Sequence, residues 1–303
     1  IPAMIKKTLI IIFGLIVNSN AISSEIVVSI KPLHSLVSAV TEGSNSVSLV
    51  IDGSMTPHNF ALKPSHAKLL NNAKVLFYID DEFESGLKKT VKGLPKSVKV
   101  IRVSKMKKLS LLSTRADDNW EEDGHDHHDH GHSSNDLHFW LDPNNAIEIV
   151  KSITQELSAI YPENINIYKK NAKNIIKEIK TTDLLIKSML EPVRNKPYIV
   201  FHDAYQYFEK AYSLKSVGSI LVDPELPASA KRIIKIRSKI KSLNAHCVFK
   251  EPQFRAKIVK TVIDGTTTKI GILDPLGADI KSGPGMYTSL LKNIAENLNA
   301  CLN

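Results

Sequence analysis

The chain has 303 residues, of which 43% are hydrophobic and 23% charged, with a formal net charge of +9. That apolar fraction excludes a disordered chain, and at roughly 100 to 200 residues per domain the length points to two domains. The lysines are spread through amphipathic segments without a dense patch or an aromatic platform, so the basic balance reads as solvated surface and gives no ground for a nucleic-acid partner.

The first segment, MIKKTLIIIFGLIVNSNA, sets Lys6 and Lys7 before an apolar run from Leu9 to Val17, with Ser19 and Ala21 at small-residue positions. This is the pattern of a secretory signal peptide over residues 1–21, with Ile1–Ala3 extraneous to it. The run is about half the ~20 residues a spanning helix needs, so Sec export is expected and a membrane anchor is not. No Cys follows the run, which argues against a lipid-modified N-terminus and favours the periplasm of a two-membrane bacterium. Losing Lys6 and Lys7 leaves a charge of about +7. Residues 117–136 hold eight acidic and no basic residues, so the remainder of the mature chain carries about +15.

Short β-branched runs then alternate with amphipathic segments: EIVVSI (25–30), VSLVI (47–51), VLFYID (75–80) and VKVIRV (98–103). The rhythm returns in YIVFH (198–202), LKSVGSI (214–220), CVFKEP (247–252) and KIGILD (269–274). Continuous apolar runs separated by helix-length segments predict parallel strands buried on both faces. The expected fold class is therefore α/β: two lobes, 22–160 and 196–303, each a mainly parallel sheet flanked by helices.

Between them, Tyr168, Ala172, Ile175, Ile179, Ile186, Met189 and Val193 recur at helical spacing within 161–195. Pro162 suits a first turn, and Pro192 and Pro197 punctuate the far end. About 30 residues would span roughly 45 Å, a stiff linker helix in place of a Gly/Ser hinge.

Residues 116–135 form an acidic, His-rich stretch with no hydrophobic period, containing HDHHDHGH with His125, His127, His128, His130 and His132. The imidazoles point to metal, but Gly and Asp interleaving fixes no geometry. A weak, accessory site is expected here, and a solvated insertion is the alternative.

The other histidines are more informative, because open α/β sheets bind ligands beyond the carboxyl ends of their strands. His202 ends the YIVF strand, Asp274 ends KIGIL, and His58 lies on the loop after VSLVI. His138, in DLHFWLDP, follows the His-rich stretch just before a helix start at Pro143. Three imidazoles with at most one carboxylate form a nitrogen-rich set suited to tetrahedral Zn²⁺ and unsuited to Mg²⁺ or Ca²⁺. His34, His66 and His246 read as structural. Cys247 and Cys301, an even pair in an oxidising compartment, are expected to form a disulfide worth about 4 kcal/mol in the chain-entropy model.

The segments PHNFALKPS, LHFWLDP, VFHDAYQYFEKAYSL, CVFKEPQF and LDPLGADIK, with the C-terminal Cys301, are similar to those of the zinc-binding periplasmic components of high-affinity zinc uptake ABC transporters, in the metal-specific group of solute-binding proteins. The similarity covers essentially the whole mature chain. It implies two α/β lobes joined by a long rigid helix, with Zn²⁺ held between them by His58, His138 and His202. The fourth position falls to Asp274 or a water, because Pro57 precedes His58 where some zinc members carry an acidic residue. Manganese members tend to have Glu where this chain has His202, so that position argues for zinc. The implied partners are an inner-membrane permease and its cytoplasmic ATPase, served by a monomer that carries no membrane anchor.

Two rivals remain. A zinc hydrolase would need an open coordination position and a general base; there is no HExxH, and Glu251, the only strand-end Glu on offer, fits a capping or packing role better. A periplasmic zinc buffer or metal-binding adhesin would draw its capacity from the His-rich stretch.

Overall fold

The structure, a computed structural model, describes residues 25–115, 135–221, 224, 226–255 and 257–303. The leader and the five histidines His125 to His132 lie outside the described residues. All eight anticipated strands are present: β1 (Ile26–Ile30), β2 (Val47–Ile51), β3 (Val75–Tyr78), β4 (Lys99–Arg102), β5 (Tyr198–His202), β6 (Ser216–Leu221), β7 (Cys247–Lys250) and β8 (Lys269–Ile272). They form two parallel four-stranded sheets ordered β2-β1-β3-β4 and β6-β5-β7-β8, as the α/β expectation required.

Burial on both faces holds for the central strands β1, β3 and β5 and nearly so for the edge strand β6, but not for the edges β4 and β8. β4 and β8 keep exposed positions, including Val100, Ile270 and Ile272, because an edge strand has a neighbour on one side only.

The helices are α1 (Lys31–Thr41), α2 (Pro64–Asn71), α3 (Lys88–Lys92), α4 (Pro143–Ile160), α5 (Ile165–Leu190), α6 (Gln206–Tyr212), α7 (Ala230–Ser242), α8 (Lys257–Ile263) and α9 (Met286–Leu302). Between the sheets, α5 is a 26-residue helix of about 39 Å, entered through a 3₁₀ turn at Pro162–Asn164. It is shorter than the 161–195 pattern, whose outer residues form turns. It is also packed along its length, burying Tyr168, Ala172, Ile175, Ile179, Ile186 and Leu190, and is in contact with α1, α4 and α9.

One hydrophobic core therefore runs from Ile26 to Leu302 through both halves, and a second, smaller one lies under α7 and α8. The two-residue period of a strand sorts side chains between them: Ile199 and Phe201 of β5 enter the smaller core, while Tyr198 and Val200 enter the shared one. His202 has the parity of Tyr198 and Val200, so it leaves the strand towards the boundary between the sheets. Cys247 and Cys301 form the expected disulfide, Cα–Cα 6.2 Å, tying the start of β7 to the last turn of α9.

Candidate metal site

The strand orders place a crossover between β5 and β7, where adjacent strands lead to connections on opposite sides and a crevice opens at their carboxyl ends. His202 is the last residue of β5 and Glu251 follows the last residue of β7. Across the crevice, the loop after β2 carries His58. Ser85 Oγ donates to the His58 carbonyl at 2.5 Å, and Gly86 lies so close to the Phe60 carbonyl that a Cβ there would sit 1.8 Å from the oxygen. Glycine is thus required for the loop to seat on the turn after β3. Phe83 of that turn packs edge-on against the His58 ring, centroids 4.7 Å apart.

His138 reaches the same point from the segment leading into α4. The 3₁₀ turn Phe139–Leu141 buries three apolar side chains, and Asp142 then caps α4 by accepting from the Asn144 amide at 2.8 Å. His58, His138 and His202 converge, with ring centroids 5.4 to 5.9 Å apart and one potential ligand nitrogen from each within 4.8 Å of the others.

Two carboxylates set the direction of two of these rings. Asp136 Oδ1 lies 2.8 Å from His138 Nδ1 and also accepts the His138 amide at 2.9 Å; Glu251 Oε1 lies 2.8 Å from His202 Nδ1. Where Nδ1–H donates to its carboxylate, the Nε2 lone pair is left for a metal. His202 Nε2 is indeed buried with no hydrogen-bond partner among the described residues.

Burial, followed by repulsion from the neighbouring imidazoles, holds His58 and His138 well below the ordinary imidazole range. Burial also pulls on His202, but the charge and hydrogen bond of Glu251, with Asp203 and Asp136 behind, override it and leave His202 above its ordinary value. Burial raises Asp136 and Asp203 to about 7, against the opposing pull of Arg115 on each.

Asp274 is not brought into the cluster. Its Oδ1 accepts from the Leu276 amide and from Gln253 Nε2, both at 2.9 Å, and its Oδ2 accepts from the Ala278 amide at 2.5 Å. The carboxylate closes the turn after β8 and faces a separate cavity with Asp279, Asn293 and Asn297. Glu251 is held against His202, so its pairing differs from the capping or packing role read from sequence and from that of a free base. His34 bonds the Val47 carbonyl, and His66 Nδ1 accepts the Lys63 amide at the start of α2, both structural as expected.

The orienting role of Asp136 was missed. Its signal is the Asp-x-His spacing, which lets one carboxylate take both the amide and the ring of the residue two positions on. No sequence spacing signals the Glu251 pairing, because β5 and β7 are brought together only by the crossover. Gln253 was also passed over; it lines the cavity with the three histidines, Phe83, Phe254 and Leu276.

Comparison with known proteins places the chain in a family. The chain is 41% identical over 310 aligned positions to the high-affinity zinc uptake system protein ZnuA of Brucella suis biovar 1, covering 92% of this chain and 91% of the relative. A crystal structure of ZnuA shares the fold, with a TM-score of 0.78, 24% identity, and coverage of 92% of this chain and 98% of that one. The laminin-binding protein Lmb of Streptococcus agalactiae, described as having adhesin and metal transporting activity, matches with a TM-score of 0.77 at 26% identity, covering 92% of this chain and 98% of Lmb. The model of the family "Zinc-uptake complex component A periplasmic" matches residues 26–301, and the chain belongs to that family.

Proposed function

We propose that this protein captures Zn²⁺ in the periplasm with His58, His138 and His202 and delivers it to an inner-membrane permease driven by a cytoplasmic ATPase. The observation that carries the reading is the convergence of three buried or half-buried imidazoles, two of them oriented by carboxylates, on one cavity at the boundary of two α/β halves. Zn–N bonds of about 2.0 to 2.1 Å place tetrahedral nitrogens roughly 3.4 Å apart, so modest side-chain movement closes the set around the ion. Three neutral nitrogens favour zinc over harder cations. With Asp274 committed to its own turn, solvent takes the fourth position. The chain works as a monomer exported by the Sec route; among the described residues no helix is long and apolar enough to cross a membrane. It binds zinc without turning over a substrate, which agrees with the engagement of Glu251 by His202.

The histidines of the 116–135 stretch act as a weaker accessory site. Support comes from its base: Ser113 bridges to Asn135, and Asn135 and Asp136 line the cleft mouth with His138, His202 and Asp203. Zinc titration against a chelator of known affinity tests both parts. One tight site is expected in the mature protein and in a variant lacking residues 117–135, and His202→Ala should abolish it in each. Loss of tight binding with the deletion alone would mean that the cleft is not the site and the protein is a buffer.

A further inference from the structure

A carboxamide also reaches the imidazole cavity, and its chemistry complements that of the histidines. Gln253 lies two residues beyond Glu251, on the connection after β7. Its Nε2 donates to the Gly53 carbonyl at 3.0 Å and to Asp274 Oδ1 at 2.9 Å. With both amide hydrogens taken by fixed acceptors, the carboxamide cannot flip, so Oε1 is the atom turned the other way. Oε1 is buried, and no donor among the described residues reaches it. The rest of the cavity wall is mostly apolar or imidazole, with Pro57, Phe83, Phe254 and Leu276 beside the three histidines, and Thr56 and Glu251 are its other polar side chains. A buried acceptor without a donor costs about 1 to 3 kcal/mol, so such an atom is retained where something else satisfies it.

We propose that Gln253 is the positioning residue for the fourth coordination site: Oε1 accepts a hydrogen bond from the water that completes the zinc shell. This rests on zinc binding by His58, His138 and His202. The chemistry selects water as the intermediary, because zinc draws its protein ligands from thiolate, imidazole and carboxylate, whereas a zinc-bound water is a strong donor. Asp274 then contributes to the site at one remove. Its carboxylate fixes the Gln253 amide and leaves the oxygen for the water. The Gly53 carbonyl adds a contact from the other half of the molecule, so the water-holding group is set only when both halves are in place.

Two measurements on the mature protein test this. In chelator competition, Gln253→Met should keep one zinc per chain but bind about tenfold more weakly, the effect typical of losing a group that supports a metal shell. Gln253→Glu keeps an oxygen facing the cavity but places a carboxylate against Asp274; it should recover affinity relative to Gln253→Met. A role limited to bridging Gly53 and Asp274 would make Gln253→Glu at least as damaging. The zinc-loaded crystal structure should show a zinc-bound water about 2.6 to 3.2 Å from Oε1. Unchanged affinity in Gln253→Met, no recovery in Gln253→Glu, or an amide oxygen bonded directly to zinc would each overturn the proposal. If wild type binds no zinc tightly, or His202→Ala binds as wild type does, the three-histidine reading itself has failed.

Discussion

Burial and mutual repulsion keep His58 and His138 neutral far below pH 6.5, whereas Glu251 keeps His202 protonated above it. Imidazoles of ordinary basicity would release metal together as the pH falls below about 6; the raised pKa of His202 makes it the first group to compete for a proton and moves the onset higher. A proton held by the metal-free form must leave before zinc binds, so affinity is full above the His202 pKa. It falls about tenfold per pH unit below that pKa, until a second group protonates. Chelator competition between pH 8 and 5.5 should show this unit slope. Glu251→Gln removes the charge that raises His202, so the bend should move to lower pH, while affinity at pH 8 drops about tenfold through loss of ring orientation. A bend at the same pH in Glu251→Gln would show that another group carries the proton. At this scale the sequence was legible where a residue lies at a strand end or on the loop beyond one, as for His202 and His58, which the fold brings together with His138. It was misleading for Asp274, whose strand-end position is equally suggestive but whose carboxylate is consumed by the amides of Leu276 and Ala278.

Strands were the most legible elements, because a buried parallel strand is a continuous apolar run and little else in this chain resembles one. The exceptions are instructive: KVIR and KIGI read like the other runs but are edge strands with exposed positions, and neither edge position nor the covering of an edge is encoded in a single run. The disulfide joins two elements of the second half that are 54 residues apart, anchoring α9 to β7 and, through β7, to the Glu251 that orients His202. Replacing Cys247 and Cys301 by Ser should cost about 4 kcal/mol in the loop-entropy model. At roughly 2 °C per kcal/mol for a chain of this size, the thermal midpoint should fall by about 8 °C, measurable by calorimetry. Zinc stoichiometry should stay at one, because Glu251 and His202 also hold their places through the pairing of β5 with β7. A midpoint that does not move would mean that the reduced chain is already held in place by the packing of α9 on α5.

Across the whole molecule, the two halves are joined by more than α5. Lys31 at the start of α1 is buried and donates to the carbonyls of Ala278 and Ile280 at 2.9 and 2.5 Å, its pKa lowered by desolvation against the pull of Asp274, Asp52 and Asp279. Gly53, at φ +88°, brings its backbone against the Lys31 stem, where a Cβ would meet Cδ at 2.8 Å. Ser35 bridges the Pro284 carbonyl and the Tyr287 amide; Trp140 donates to the Pro275 carbonyl, and the Tyr287 hydroxyl donates to that of Trp140. These bonds cross from one sheet's half to the other beside the imidazole cavity, and each would have to break for the lobes to swing apart. A long helix alone predicts a stiff linker; the added polar contacts predict that zinc loading moves side chains and loops and leaves the lobes in place. Small-angle scattering of metal-free and zinc-loaded protein should accordingly give radii of gyration within about 1 Å of each other, the behaviour of a pre-organised site. Lys31→Met removes two charge-assisted bonds and should lower stability by about 2 kcal/mol. If those bonds hold the lobes, that variant should also show a measurable zinc-dependent compaction that wild type lacks. Compaction of several ångströms in wild type would instead assign the closure to a hinge, and the contacts around Lys31 would then belong to the closed state alone.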